Sequence, residues 1–214
     1  MESFGFDTIN LGHGSGGTMT RDLLDQIIFK TFSNPFIDQK HDGSIVKFEG
    51  EIAISTDSFV VSPVFFKGGN IGELAVNGTV NDVAMCGAIP KYLSLAFIIE
   101  EGLPIEDFIK IVNSIKETAD KSGVQIITGD TKVVERGKGD KIFINTTGFG
   151  EVNSNGKIAV EKKDAMRRRG VKSPNLAEAL VMANSNNTPV SDRKPEPPPL
   201  PRTEDYQQAV DGVM

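Results

Sequence analysis

The chain of 214 residues has one cysteine, no tryptophan, two tyrosines and two histidines. A single cysteine excludes a disulfide framework within the chain and fits a reducing, cytoplasmic setting. No apolar run approaches the roughly 18 residues a membrane span needs. The N-terminal MESFGFDTINLGHGSGG lacks the basic end and apolar stretch of a secretory signal. A large excess of one sign of charge is also lacking, with 23 Lys and Arg against 29 Asp and Glu. The net charge of -6 gives no whole-protein footprint for nucleic acid or an anionic membrane. Apolar residues make up only 38% of the chain, so part of it is expected to lie outside any core.

What is present is unevenly spread. All 13 Phe lie at or before Phe149, and six of the 11 Pro fall within 189–201. Residues 1–152 carry a net of -8, and 153–214 a net of +2. The first part can bury a core, whereas the last thirty residues have little with which to do so. Residues 1–152 are therefore read as a folded domain, 153–184 as a basic helical appendage and 185–214 as a Pro-rich, disordered tail. PEPPPLP at 195–201 reads as a linker, with a polyproline ligand as the alternative.

Within 1–152, helical spacing predicts a helix over 20–31, with Thr20 as its cap. Another is predicted over 71–85, its small residues suited to close packing. A third, over 104–121, has Pro104 in the first turn. Strands are predicted at 44–48 and 51–56, parted by Glu49-Gly50, and at 92–99, 124–128 and 141–148. The mixture argues for an α/β or α+β fold, with helices on one face of a mixed sheet.

Four Asp stand beside small or hydroxyl residues: Asp42, Asp57, Asp82 and Asp130. Asp82 falls inside an otherwise apolar helix, where a carboxylate needs a partner. Facing carboxylates repel unless a cation joins them. Mg²⁺ takes one or two carboxylates plus phosphate oxygens, so a nucleoside triphosphate is its natural companion. Lys132 could meet phosphate as a point charge. The plainer alternative is that each Asp forms a turn or caps a helix.

Gly12 to Gly17 matches G-x-G-x-x-G, with Asp38 a further 21 residues on. No convincing strand precedes it and no βαβ unit follows, so a dinucleotide fingerprint is a poor fit. A glycine loop closing over phosphates through Gly14, Gly16 and Gly17 fits better, against the alternative of a mobile segment without a ligand. No His/Cys/Asp cluster has zinc spacing. Cys86 reads as a buried apolar residue rather than a nucleophile.

Taken in order, LGHGSGG (11–17), HDGS (41–44), STDSFVVSP (55–63), FFKGGNIGELAVNGTVNDVAMCG (65–87), ITGDTKVVE (127–135) and IFINTTGFG (142–150) resemble the hydrogenase maturation proteins of the HypE family. That family belongs to the aminoimidazole ribonucleotide synthetase and selenophosphate synthetase superfamily. The resemblance runs over about residues 8–152 and implies an ATP-dependent carbamoyl dehydratase. In such a protein a carbamoyl group on the C-terminal cysteine thiol is dehydrated to thiocyanate, for the cyanide ligands of the [NiFe]-hydrogenase centre. It implies ATP and Mg²⁺ as cofactors and a homodimer whose strands build a shared barrel. Carbamoyltransferase and iron-scaffold maturation proteins are its implied partners. By position, Asp42, Asp57, Asp82 and Asp130 become candidate metal or phosphate-site residues. Lys132 becomes a phosphate contact, with Asp82 and Lys132 as the catalytic candidates, and Gly14, Gly16 and Gly17 a lid.

Two departures matter. The family's second α/β domain and its C-terminal cysteine have no counterpart here, so turnover by this chain alone is not expected. Residues 157–183 resemble instead the C-terminal end of phage terminase nuclease domains, with Glu178 as the nearest metal-ligand candidate. Lys157 to Lys172 hold seven basic and two acidic residues. Nucleic acid could bind there, although a solvated basic helix explains the run as well. The alternative function is thus a non-catalytic dimerisation module carrying a terminase-like, nucleic-acid-binding tail.

Overall fold

The computed structural model describes residues 5–152. The segments 153–184 and 185–214, with Glu178 and the basic run 157–172, lie outside the described residues. The elements in chain order are α1 (Thr18–Leu23), β1 (Ile52–Phe59), β2 (Phe65–Phe66), β3 (Gly69–Asn70), α2 (Ile71–Met85), β4 (Ala88–Glu100), α3 (Ile105–Ser122), β5 (Gln125–Val134) and β6 (Ile142–Val152). Four strands form one mixed sheet in the order β1-β6-β4-β5, with β4 and β5 parallel and the other pairs antiparallel. The α3 crossover is what permits the parallel pair. The expected class, a mixed sheet with helices on one face, is the class observed.

The amphipathic patterns explain the layers. In α3 the apolar positions Ile105, Phe108, Ile111, Val112 and Ile115 are buried. They meet Leu93, Leu95, Phe97 and Ile99 of β4 and Ile142 and Ile144 of β6 in one core. Gly123, in the left-handed conformation, ends α3. Pro104 stands as its N-cap residue rather than within the first turn. Asn70 caps α2 by accepting from the N–H groups of Gly72 and Glu73, at 2.8 and 3.2 Å. Helix α2 lies flat on β6. A methyl on Gly148 would come within 2.9 Å of Thr79, and one on Gly150 within 2.5 Å of Val83. Those two glycines therefore face the helix, and the alternate residues Thr147 and Phe149 face away.

That outward face carries Ile54 paired with Phe149, Thr56 with Thr147 and Ile98 with Phe143. Ile54 is 60% exposed. Among the described residues one end of it is covered, where Phe36 and Phe48 meet Tyr92 edge-on at 5.4 and 5.8 Å.

Several expectations need correction. Residues 44–48 form no strand. Ser44 gives its hydroxyl proton to the carbonyl of Ile127, and Thr128 donates to that of Asp42 at 3.1 Å, so side-chain bonds rather than a ladder hold this segment to β5. Helix 20–31 starts earlier, at Thr18, with Gly17 at its N-cap, and becomes a π-helix over Leu24–Phe29. Thr20 is no cap. It accepts from the Gly16 N–H at 2.9 Å and donates to the Gly12 carbonyl at 3.2 Å. Cys86, at the C-cap of α2, is exposed rather than buried. Among the described residues no helix is long and apolar enough to cross a membrane.

The α2–α3 crossing is also close because a glycine stands at it. A methyl on Gly72 would lie 2.7 Å from the Ile111 carbonyl oxygen. Gly72→Ala is expected to destabilise the domain by about 1–3 kcal/mol through overpacking. Urea denaturation reads this directly, and an unchanged midpoint would contradict the packing described.

Candidate functional site: a cleft along the edge of the sheet

One cleft of about 790 Å³ runs along β5, between that strand, the Gly14–Gly17 loop and the helical segment 18–29. Its floor is apolar, with Leu95, Phe97, Ile126 and Phe32, and its rim is polar and charged. Ligand pockets of roughly 300–1,000 Å³ with this division of labour are typical of small-molecule sites.

Two close approaches build the wall. Where β5 runs beside β4, a methyl on Gly129 would collide with the Leu95 carbonyl oxygen, so only glycine lets the strands come this near just before Asp130. On the other side, a methyl on Gly14 would meet the Val133 N at 2.7 Å, so the glycine loop leans on β5 beside Lys132. The loop is ordered rather than featureless. Residues Leu11–Gly14 form a 3-10 turn. The Asn10 side chain accepts from the Gly12 N–H, and His13 Nδ1 accepts from the Asn10 N–H, both at 2.9 Å. That bond leaves the His13 proton on Nε2, which is buried without a hydrogen-bond partner. Burial holds the imidazole below its ordinary value of 6.5, against the opposing pull of the Asn10 backbone and of Asp22.

The structure sorts the residues picked from the sequence into two groups. Gly14, Gly16, Gly17, Asp42, Asp130 and Lys132 all line the cleft. Asp57 and Asp82 do not. They face each other's elements at the far edge of the sheet, between β1 and α2. Asp82 Oδ2 accepts from the Ser55 hydroxyl at 3.3 Å, the partner an Asp in this helix requires. Asp57 Oδ2 lies 3.8 Å from where a methyl on Gly78 would stand. With β6 and β4 between them, β1 and β5 are roughly 14 Å apart at ordinary strand spacing. Within one chain, then, the four carboxylates do not converge. Among the described residues no group of three or more His, Cys, Asp or Glu could hold a metal ion. Asp38 also stands apart from the cleft, accepting from Ser33 at 3.1 Å, as a turn residue rather than a ribose ligand.

Among the cleft residues not legible as site residues in the sequence are Arg21, Asp25, Phe29 and Lys40. The first three share a helix whose apolar face dominates its pattern and masks its other side. Arg21 directly after the glycine loop is the available signal. Among the described residues neither Arg21 nor Lys132 makes an ion pair, whereas Lys40 is paired with Asp25 at 2.5 Å. Unpaired cations beside a glycine loop suit an anion of high charge.

Because burial disfavours its charged form, His13 contributes stability that is full above pH 6.5 and is lost as pH falls through its lowered folded value. Imidazole NMR titration is expected to show a His13 midpoint below 6.5 with the proton on Nε2 at neutral pH. A midpoint above 6.5 would contradict the buried loop.

Comparison with known proteins gives a consistent result. The model of the family "AIR synthase related protein, N-terminal domain" matches residues 40–152. Carbamoyl dehydratase HypE of Escherichia coli K12 is 48% identical over 155 residues, which are 70% of this chain and 46% of that protein. A crystal structure of hydrogenase maturation protein HypE in complex with ATP superposes with a TM-score of 0.66 at 49% identity, covering 68% of this chain and 43% of that one. A HypE–HypF complex structure matches with a TM-score of 0.50 at 48% identity, covering 64% and 45%. The chain spans less than half the length of the curated relatives it matches. By a family match that spans more than half its residues, the chain belongs to the AIR synthase related proteins, through their N-terminal domain.

Proposed function

We propose that residues 5–152 form the nucleotide-binding half of a HypE-like hydrogenase maturation factor, and that the cleft along β5 takes ATP with Mg²⁺. The observation carrying this reading is the cleft's lining. Two cations without ion-pair partners among the described residues, Arg21 and Lys132, share it with a glycine loop, the carboxylates of Asp42 and Asp130 and an apolar floor. The similarity to a HypE structure in complex with ATP supports it.

The donor set fits the ion. Asp42 and Asp130 supply the one or two carboxylates that Mg²⁺ takes when phosphate oxygens complete its shell. Bound there, the metal would neutralise phosphate charge. Lys132 and Arg21 would hold the phosphates, and Gly14, Gly16 and Gly17 would let backbone approach them. The apolar floor excludes water, which strengthens every charge interaction above it.

In the whole protein, the proposed role of ATP is to give its γ-phosphoryl group to the oxygen of an S-carbamoyl cysteine, so that this oxygen leaves as phosphate, the nitrogen gives up its two protons, and thiocyanate and ADP remain. Cys86 does not line the cleft, so the carbamoylated thiol must be presented from elsewhere. The 5–152 region by itself is therefore proposed to bind nucleotide without turning over the carbamoyl group. A carbamoyltransferase of the HypF kind is the proposed donor, by similarity to the HypE–HypF complex. The proposed compartment is the cytoplasm.

We also propose a homodimer through the outward face of the sheet. Ile54, Phe149, Ile98 and Phe143 give that face an apolar surface, and both edge strands, β1 and β5, lack an outer ladder partner among the described residues. Closing two sheets into one barrel removes such edges. A twofold axis that sets β1 of one copy beside β5 of the other would carry Asp57 and Asp82 toward the partner's cleft, which accounts for their distance from Asp130 within a chain.

The test is thermal unfolding of the full chain with Mg-ATP. At a hundred times its dissociation constant, the nucleotide is expected to add about 2.7 kcal/mol, with the shift lost in Asp130→Asn and Lys132→Gln. No shift in the unaltered chain would refute nucleotide binding. Sedimentation is expected to show a dimer that Ile54→Asp converts to a monomer, and a monomeric parent would refute the barrel.

A further inference from the structure

The cleft holds a third cation that is not free. Lys40 Nζ lies 2.5 Å from Asp25 Oδ1 and 5.4 Å from the centre of the Phe29 ring. All three residues line the cleft. The arrangement is specific to local backbone geometry. Asp25 and Phe29 are four residues apart on the π-helix, which sets both on the side that meets Lys40. Lys40 follows a 3-10 turn with φ of 50°, a left-handed conformation uncommon for a residue with a side chain. π-Helical segments are rare and tend to mark functional sites.

An exposed pair of this kind holds weakly, with side chains 56% and 39% accessible, and so exchanges easily. Its charges also oppose each other in their effect on an anion. Once Mg²⁺ neutralises Asp42 and Asp130, Asp25 is the one carboxylate left among the lining residues to repel a polyphosphate.

Resting on the reading of the cleft as a nucleotide site, we propose that Lys40 is an exchangeable counter-ion. Asp25 and Phe29 hold it in the ligand-free chain, and it transfers to the phosphates of an entering nucleoside triphosphate. The Asp25–Lys40 pair thereby grades affinity by the number of phosphates. The triphosphate draws Lys40 across, and a monophosphate leaves it on Asp25.

The experiment is calorimetric titration of the full chain with Mg-ATP, Mg-ADP and AMP. Asp25→Asn, which frees Lys40 beforehand, is expected to tighten ATP several-fold and leave AMP within about twofold. Lys40→Gln is expected to weaken ATP about tenfold, in the parent and in the Asp25→Asn background alike. Lys40→Arg, which keeps the charge, is expected to stay near the parent. If Lys40→Gln has no effect in the Asp25→Asn background, Lys40 merely masks Asp25 and the exchange is refuted while the nucleotide site stands. Equal losses for ATP and AMP would refute it too. If the parent chain binds none of the three, the nucleotide reading falls and this inference with it.

Discussion

The close run of β5 against β4 at Gly129 is the constraint on which the cleft depends. Any side chain at that position would run into the Leu95 carbonyl oxygen, so no residue but glycine fits. That approach fixes the strand from which Asp130 and Lys132 reach the cleft. The glycine loop then closes on the same strand at Val133, and the Ser44 and Thr128 hydroxyls bring Asp42 alongside. Chain segments more than a hundred residues apart thus meet at one strand, and each contact is short because a glycine or a hydroxyl makes it so.

The parallel pair also determines what is left open. Strand β5 is an edge, so its outer side borders the cleft instead of a neighbouring strand. Helices α2 and α3 cover one face of the sheet, and among the described residues the other retains an apolar surface that reaches Ile54 on the edge strand β1. Among the described residues the domain thus leaves open both a sheet edge and an apolar face, the two kinds of surface that association would bury.

Much of this is legible in the residues. The apolar periodicity of 105–115 and the small-residue run 71–85 mark α2 and α3 nearly to their ends, since both helices bury one stripe against a sheet. The strands 51–56, 92–99, 124–128 and 141–148 fall in the right places but are shorter than those observed. Residues such as Asp130, Thr131 and Lys132 read as a loop because they are polar, yet an edge strand facing a cleft can carry them. The 44–48 segment fails for the opposite reason, being apolar enough for a strand but held by side-chain hydrogen bonds. The π-helix at 24–29 has no signature in a pattern of period 3.6, and so Asp25 and Phe29 escape notice with it. Asp57 and Asp82 are visible as chemistry but not as location, because spacing along a chain does not reveal which edge of a sheet a strand will occupy.

Replacing Mg²⁺ with Mn²⁺ tests most directly whether a metal-bound polyphosphate sits along β5, since the paramagnetic ion broadens the NMR signals of nearby amides. With ATP present, the amides of Gly14 to Gly17, Asp42 and Thr128 to Lys132 are predicted to vanish together, and only when nucleotide accompanies the metal. Broadening centred elsewhere on the domain, or the same loss with Mn²⁺ alone, would contradict that placement.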